Sequence, residues 1–334
     1  MKLKLRSTAV IAAAIFTLHN ADASAADKIT IIVGGINKLI YLPPKLAENL
    51  GYFKDEGLDV ELQSQQAGVD AENELLAGAA QAVVGFYDHS IDLQSKGKSV
   101  QSIVVFGLVP GSKELVRSDV ADRIRNMGDL KGQTLGVTAL GSSSSYLGQY
   151  MAGKYGLKSS DFSILPVGAG NSLMASIKQK RVEVAWTTEP TTSLLVASGD
   201  AKVLVDLSTV DGTKAALGGL YPASSLYVES GWARTHKTEA TKLARAFVRA
   251  LQFIQTHPAE EIAAKMPTDY YGGNKALYVQ ALKASLPMYS PDGKMPDGGP
   301  ETVLKVMSAF NPNIKGKHIN LSETYTNSFV TEAK

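Results

Sequence analysis

The feature that most constrains this chain is a series of strand-like runs that repeats at a spacing near 100 residues. Apolar runs lie at Ile29–Val33, Leu58–Leu62, Ala82–Phe86 and Ser102–Phe106. They recur at Thr134–Val137, Phe162–Leu165, Val182–Trp186 and Lys202–Leu207. Ile31 to Leu135 is a shift of 104, Val83 to Val184 of 101, and Ile103 to Val203 of 100. The helical runs between them keep the same order: Pro44–Gly51 answers to Tyr146–Tyr155, and Glu72–Ala77 to Leu173–Lys180. A glycine precedes each second helix, Gly68 in one series and Gly170 in the other. Alternating strands and helices define the α/β class. A solenoid would repeat at roughly 20–50 residues. The longer period instead predicts two similar βαβαβ lobes.

The connections between the series complete the plan. Gly107–Arg117 holds Pro110 and Gly111 followed by an extended run, which suits a crossover from the first lobe to the second. Ser208–Leu220 is polar and glycine-rich, and the strand-like Ser224–Val228 after it suits a crossover back. Two crossovers make a hinge, and a hinge makes a cleft that closes on a ligand. Lobe one is therefore expected at residues 26–112 and 215–334, and lobe two at 113–214. The last third is mainly helical, with Leu243, Phe247, Val248, Leu251 and Ile254 at helical spacing. It is expected to wrap lobe one and to carry no chemistry.

Residues 1–25 have the three parts of a secretory leader in order: basic Lys2, Lys4 and Arg6, the apolar Ala9–Leu18, and the cleavage pattern Ala23-Ser24-Ala25. No cysteine occurs anywhere, so a lipoprotein anchor, disulfides, thiolate metal sites and a cysteine nucleophile are all excluded. A protein free in the periplasm, and monomeric, is expected. The formal charge is only +2 and no basic stripe is present, which argues against nucleic acid as a partner. No cofactor or metal is expected either, because His89, His236, His257 and His318 are scattered.

In open α/β sheets, ligands bind where strands end at their carboxyl termini. Gly34–Tyr41, Tyr87–Ser90, Thr138–Ser145 and Thr187–Pro190 occupy those positions. The third is distinctive: Gly141 is followed by four serines that open a helix. Free backbone N–H groups and serine hydroxyls at a helix start make an anion pocket without a fixed cation. Ser143, Ser144 and Ser145 are candidate head-group ligands, with an ordinary serine cap as the alternative. Asn37 and Lys38 are either site residues or solvated turn residues. Tyr41, Tyr87, Trp186 and Tyr221 are candidate apolar walls, and Gly68 is a close-approach turn. Asp88 and Glu189 either cap their helices or meet a donor group at the ligand's far end.

Leu50-Gly-Tyr-Phe-Lys-Asp-Glu-Gly-Leu-Asp-Val-Glu-Leu62 resembles a segment of the nitrate/sulfonate/taurine-type (NMT1/THI5-like) substrate-binding proteins of ABC transporters. Asp129–Val137 with the glycine-serine turn, and Val182–Pro190, resemble two further segments of that family. The resemblance covers Ile29 to about Val228. It implies a type II periplasmic-binding-protein fold, a ligand between the lobes, and delivery to a membrane permease with its ATPase. It also implies ligand contacts at Asn37 to Tyr41, Gly68, Tyr87, Asp88, Ser143 to Ser145, Trp186 and Glu189. The first loop departs from the family in its apolar neighbours and in Lys38, which leaves the ligand open.

A sulfonate or taurine-like anion leads, with aromatic or other carboxylates next. A thiamine-precursor pyrimidine, with its amino group on Asp88 or Glu189, is the alternative. Nitrate is disfavoured, because so many large side chains line the expected cleft for so small an ion. An enzyme is disfavoured: Gly141-Ser-Ser-Ser-Ser145 lacks the second glycine of a nucleophile elbow, and the iron-dependent relative that makes the thiamine pyrimidine needs cysteines.

Overall fold

The computed structural model describes residues 28–311 and 313–333. The leader expected at 1–25 lies outside the described residues. Among the described residues, ten strands form two five-stranded sheets. They are β1 (Lys28–Val33), β2 (Asp59–Ser64), β3 (Ala82–Phe86), β4 (Val100–Val105), β5 (Ser112–Arg117), β6 (Thr134–Val137), β7 (Ser163–Pro166), β8 (Val184–Thr188), β9 (Ala201–Leu207) and β10 (Ser224–Glu229). The first sheet runs β2-β1-β3-β10-β4 and the second β7-β6-β8-β5-β9.

The two orders are one topology used twice. In each sheet the first strand of the series pairs in parallel with the second and the third. In each, a crossover strand enters antiparallel between the third and the fourth, β10 in one sheet and β5 in the other. The extended run after Gly111 is thus an inner strand of sheet two. Parallel sheets of this kind are covered on both faces, so their strands read as apolar runs. β3 and β8 are buried at every residue.

Each sheet has an outer apolar layer of its own. Ile32, Leu75, Val83, Leu93 and Tyr227 pack together on sheet one. Leu115, Leu173, Ile177, Val182 and Leu195 do so on sheet two. A third cluster runs through both lobes and includes Tyr41, Phe86, Val137, Leu147 and Trp186.

The C-terminal third does more than wrap lobe one. The 20-residue helix Lys237–Thr256 packs on lobe one, with Phe247 against Phe53 and Phe106. Phe310, at the end of helix Gly299–Phe310, instead meets Tyr150 of lobe two edge-on at 6.4 Å. A Cβ on Gly153 would fall 1.9 Å from the Phe310 ring, so only glycine allows this approach. A Cβ on Gly272 would likewise fall 2.9 Å from Leu194 Cδ1 of lobe two. The C-terminal segment therefore braces both lobes, a contact between distant parts of the chain that helical periodicity does not reveal.

Candidate functional site

The carboxyl ends of β1 and β3 face those of β6 and β8 across the lobe boundary, and polar side chains converge there. Asp88 opens the helix Asp88–Ser95, directly after β3. Ser143 opens the helix Ser143–Gly153 of the other lobe, with Ser142 at the cap position. The Ser143 hydroxyl donates to Asp88 Oδ1 at 2.8 Å, across the boundary. The Tyr221 hydroxyl donates to Asp88 Oδ2 at 2.9 Å. A second bond closes the lobes on one another: Leu39 N–H donates to the Glu189 carbonyl at 2.9 Å.

Asp88 is fully buried. Burial raises its pKa above the ordinary carboxylate value, while the adjacent His89 and the Ser143 and Tyr221 hydroxyls pull it back. His89 lies behind it, its Nδ1 2.6 Å from the buried Glu72 carboxylate. Burial works against charge on His89, but Glu72, Asp88 and Asp92 outweigh it and hold the imidazole up at about 9. His89 also fixes the neighbouring turn. A Cβ on Gly68 would come within 2.6 Å of His89 Nε2, so the start of helix Gly68–Leu76 requires glycine.

The serine turn divides its labour. Ser143 reaches Asp88. Ser144 Oγ accepts from Thr138 N–H at 3.0 Å and lies 2.8 Å from the Thr138 hydroxyl, which holds the turn shut. Ser145 Oγ accepts from Gln149 Nε2 at 3.1 Å, within its own helix. Ser142 Oγ, although at the cap, makes no capping bond and has no partner among the described residues. One serine out of four therefore faces the other lobe, and the group it meets is an acid.

Three aromatic rings stand at the same boundary. Phe86 is edge-on to Tyr41 at 6.4 Å and to Trp186 of lobe two at 6.1 Å. The Trp186 indole N–H is buried and has no partner among the described residues. Tyr87 is fully buried and its hydroxyl is engaged. It turns into its helix in the right-handed conformation, bonds its hydroxyl to Thr324 and meets the ring of Tyr325. That partner lies 237 residues away, beyond the reach of local pattern.

The remaining candidates take humbler positions. Asn37 is exposed. Lys38 donates its ammonium to the Gly34 carbonyl at 2.6 Å and the Gln66 carbonyl at 3.2 Å. Burial lowers its pKa to about 8, and Asp70 opposes the shift. Its cation is thus spent on the turn and is not offered across the boundary. Glu189 accepts from Ser193 N–H at 3.0 Å, the capping alternative, and burial raises its pKa.

Sequence inspection missed Glu114. It sits in β5 opposite Trp186, fully buried, and neither carboxylate oxygen has a partner among the described residues. Burial alone pushes it up to about 8. The available signal was an acid inside the run Glu114-Leu-Val116, placed in a strand that the duplication makes internal.

Two surface depressions lie elsewhere, one of about 270 Å³ beside Lys28 and Ile29 and one of about 400 Å³ beside Asp59 and Val60. Both sit at the amino ends of β1 and β2, the end that α/β sheets do not use for ligands.

Two duplicated lobes, two crossovers and polar groups converging at strand carboxyl ends define a two-lobed periplasmic-binding-protein fold. The NMT1/THI5-like family model matches residues 42–261, and the chain belongs to that family. A solved structure from Bordetella bronchiseptica RB50 is 35% identical and superposes with a TM-score of 0.88, over 92% of this chain and 96% of that one. The alkanesulfonate-binding protein SsuA from Xanthomonas axonopodis pv. citri, bound to MOPS, is 16% identical with a TM-score of 0.71, over 92% and 100%. YtlA of Bacillus subtilis (strain 168) is 20% identical over 237 residues, 70% of this chain and 68% of that protein. The fold is also that of the desulfurization enzyme DszB, at 16% identity and a TM-score of 0.63, over 92% and 98%. Fold alone therefore does not separate binding from catalysis.

Proposed function

We propose that the protein is the periplasmic solute-binding component of an ABC importer. It takes a small organic anion, a sulfonate or carboxylate, between its lobes and hands it to a permease and its ATPase. The Ser143–Asp88–Tyr221 chain across the boundary carries this reading. It gives lobe closure a specific polar contact that ligand at the serine turn strengthens or exchanges. Two donors there suit an acidic head group, the Ser142 hydroxyl and the Trp186 indole N–H, both without a partner among the described residues, and the helix Ser143–Gly153 opens beside them. Export rests on the leader at residues 1–25. Among the described residues no helix is long and apolar enough to cross a membrane.

A thermal-shift panel of sulfonates, carboxylates, nitrate and aminopyrimidines, followed by calorimetry, tests the reading. A ligand at a hundred times its Kd stabilises the fold by about 2.7 kcal/mol through mass action. The ligand should be recovered unchanged after prolonged incubation. A product in a mass-spectrometric time course would favour an enzyme on this fold instead.

A further inference from the structure

β5 enters lobe two from the hinge and pairs antiparallel with β8, Ser112 opposite Thr188 and Glu114 opposite Trp186. Residues directly opposite in an antiparallel pair share a face, and alternate residues of one strand do too. Ser112, Glu114, Trp186 and Thr188 therefore make one polar row on one side of sheet two. Two contacts show which side it is. The Trp186 ring reaches Phe86 of lobe one. A Cβ on Gly148, in the helix that Ser143 opens, would lie 3.4 Å from Glu114 Oε1. The row thus faces the layer between sheet two and the serine helix, and it opens towards the lobe boundary.

Three of the row's four polar side chains, Ser112, Glu114 and Trp186, are buried and hold polar atoms that lack a partner among the described residues. A buried polar group left unpaired costs about 1–3 kcal/mol, and more if charged. A carboxyl group retained at such a cost, with no cation beside it among the described residues, is poorly explained as packing. The boundary cation Lys38 is committed to two carbonyls. The other boundary acids, Asp88 and Glu189, already hold hydrogen bonds.

Resting on the solute-binding reading, we propose that Glu114 is a specificity-determining ligand contact that receives an amino group, with the Trp186 indole N–H beside it as the donor to a ligand oxygen. The solute is then a small zwitterion, with its acidic head at the serine turn and its ammonium towards β5. Simple anions of the same length lack the group that satisfies Glu114, and a site built for a hydrogen-bonding group rejects analogues without it.

The test uses matched probes on the purified full-length mature chain: 2-aminoethanesulfonate against 2-hydroxyethanesulfonate, and 3-aminopropanoate against 3-hydroxypropanoate. In the pair that binds, the amino member should be at least about tenfold tighter by calorimetry, and Glu114→Gln should reduce that preference to below about threefold. Equal or weaker binding of the amino member, or a preference that survives Glu114→Gln, overturns the subsite and leaves the solute-binding reading intact. Failure of every probe overturns the solute class and the amine contact together. The melting temperature of ligand-free Glu114→Gln and Glu114→Met supplies a readout independent of any ligand. An unchanged or raised value supports a residue kept for binding, and a fall in both variants assigns Glu114 to structure and refutes the proposal.

Discussion

Replacing Glu114 by glutamine should make the protein more stable, and by an amount that grows with pH. Burial alone pushes this carboxyl from 4.5 to about 8. Between those values the folded chain holds a proton that the unfolded chain has released. Unfolding free energy therefore falls as pH rises through that window. At about 1.4 kcal/mol per pH unit, the whole interval is worth about 5 kcal/mol as an upper limit. Glutamine keeps the shape and one donor but has no proton to lose. Urea unfolding of both proteins at pH 5, 6, 7 and 8.5 isolates the residue, because His89, Asp88 and the other titrating groups are common to both and cancel in the difference. The two should agree within about 1 kcal/mol at pH 5, with glutamine ahead by about 3–5 kcal/mol at pH 8.5. A difference that is flat with pH, or a glutamine variant that is less stable at pH 8.5, would refute a buried, unpartnered carboxyl.

Ser143→Asp sets a second carboxylate against Asp88 and should weaken solute binding at least about tenfold by calorimetry; unchanged affinity would remove the serine turn from the site. His89 is held up at about 9, so its contribution is complete below 6.5 and is lost as pH rises through 9. His89→Gln should cost about 3 kcal/mol at pH 6 and little at pH 10 in the same unfolding assay; an equal cost at both would show that packing, not charge, is what the residue supplies. Gly153→Ala forces the Phe310 ring aside and should cost about 1–3 kcal/mol in urea unfolding, whereas a neutral effect would mean that the C-terminal brace is loose.

The fold was legible because duplication is a long-range regularity that survives in local pattern. β3 and β8 read as apolar runs since both of their faces are covered. The role of Asp88 was half legible: its place after a strand marked it as a site or a cap, but its partners Ser143 and Tyr221 lie 55 and 133 residues away. The bond of Tyr87 to Thr324 was not legible, because the two lie 237 residues apart. Glu114 was hidden because the antiparallel entry of β5 beside β8 sets its register, and no periodicity within β5 records that partner.

On the proposed function, solute is held at the boundary where Trp186 meets Phe86. The chain has two tryptophans, and Trp232 stacks on His236 on the flank of lobe one. Trp232→Phe leaves Trp186 as the sole indole reporter. Titration of that variant with the solute identified by calorimetry should change the Trp186 emission, saturating at one solute per chain with the calorimetric Kd. Calorimetric binding with Trp186 emission unchanged would place the solute elsewhere and contradict the cleft.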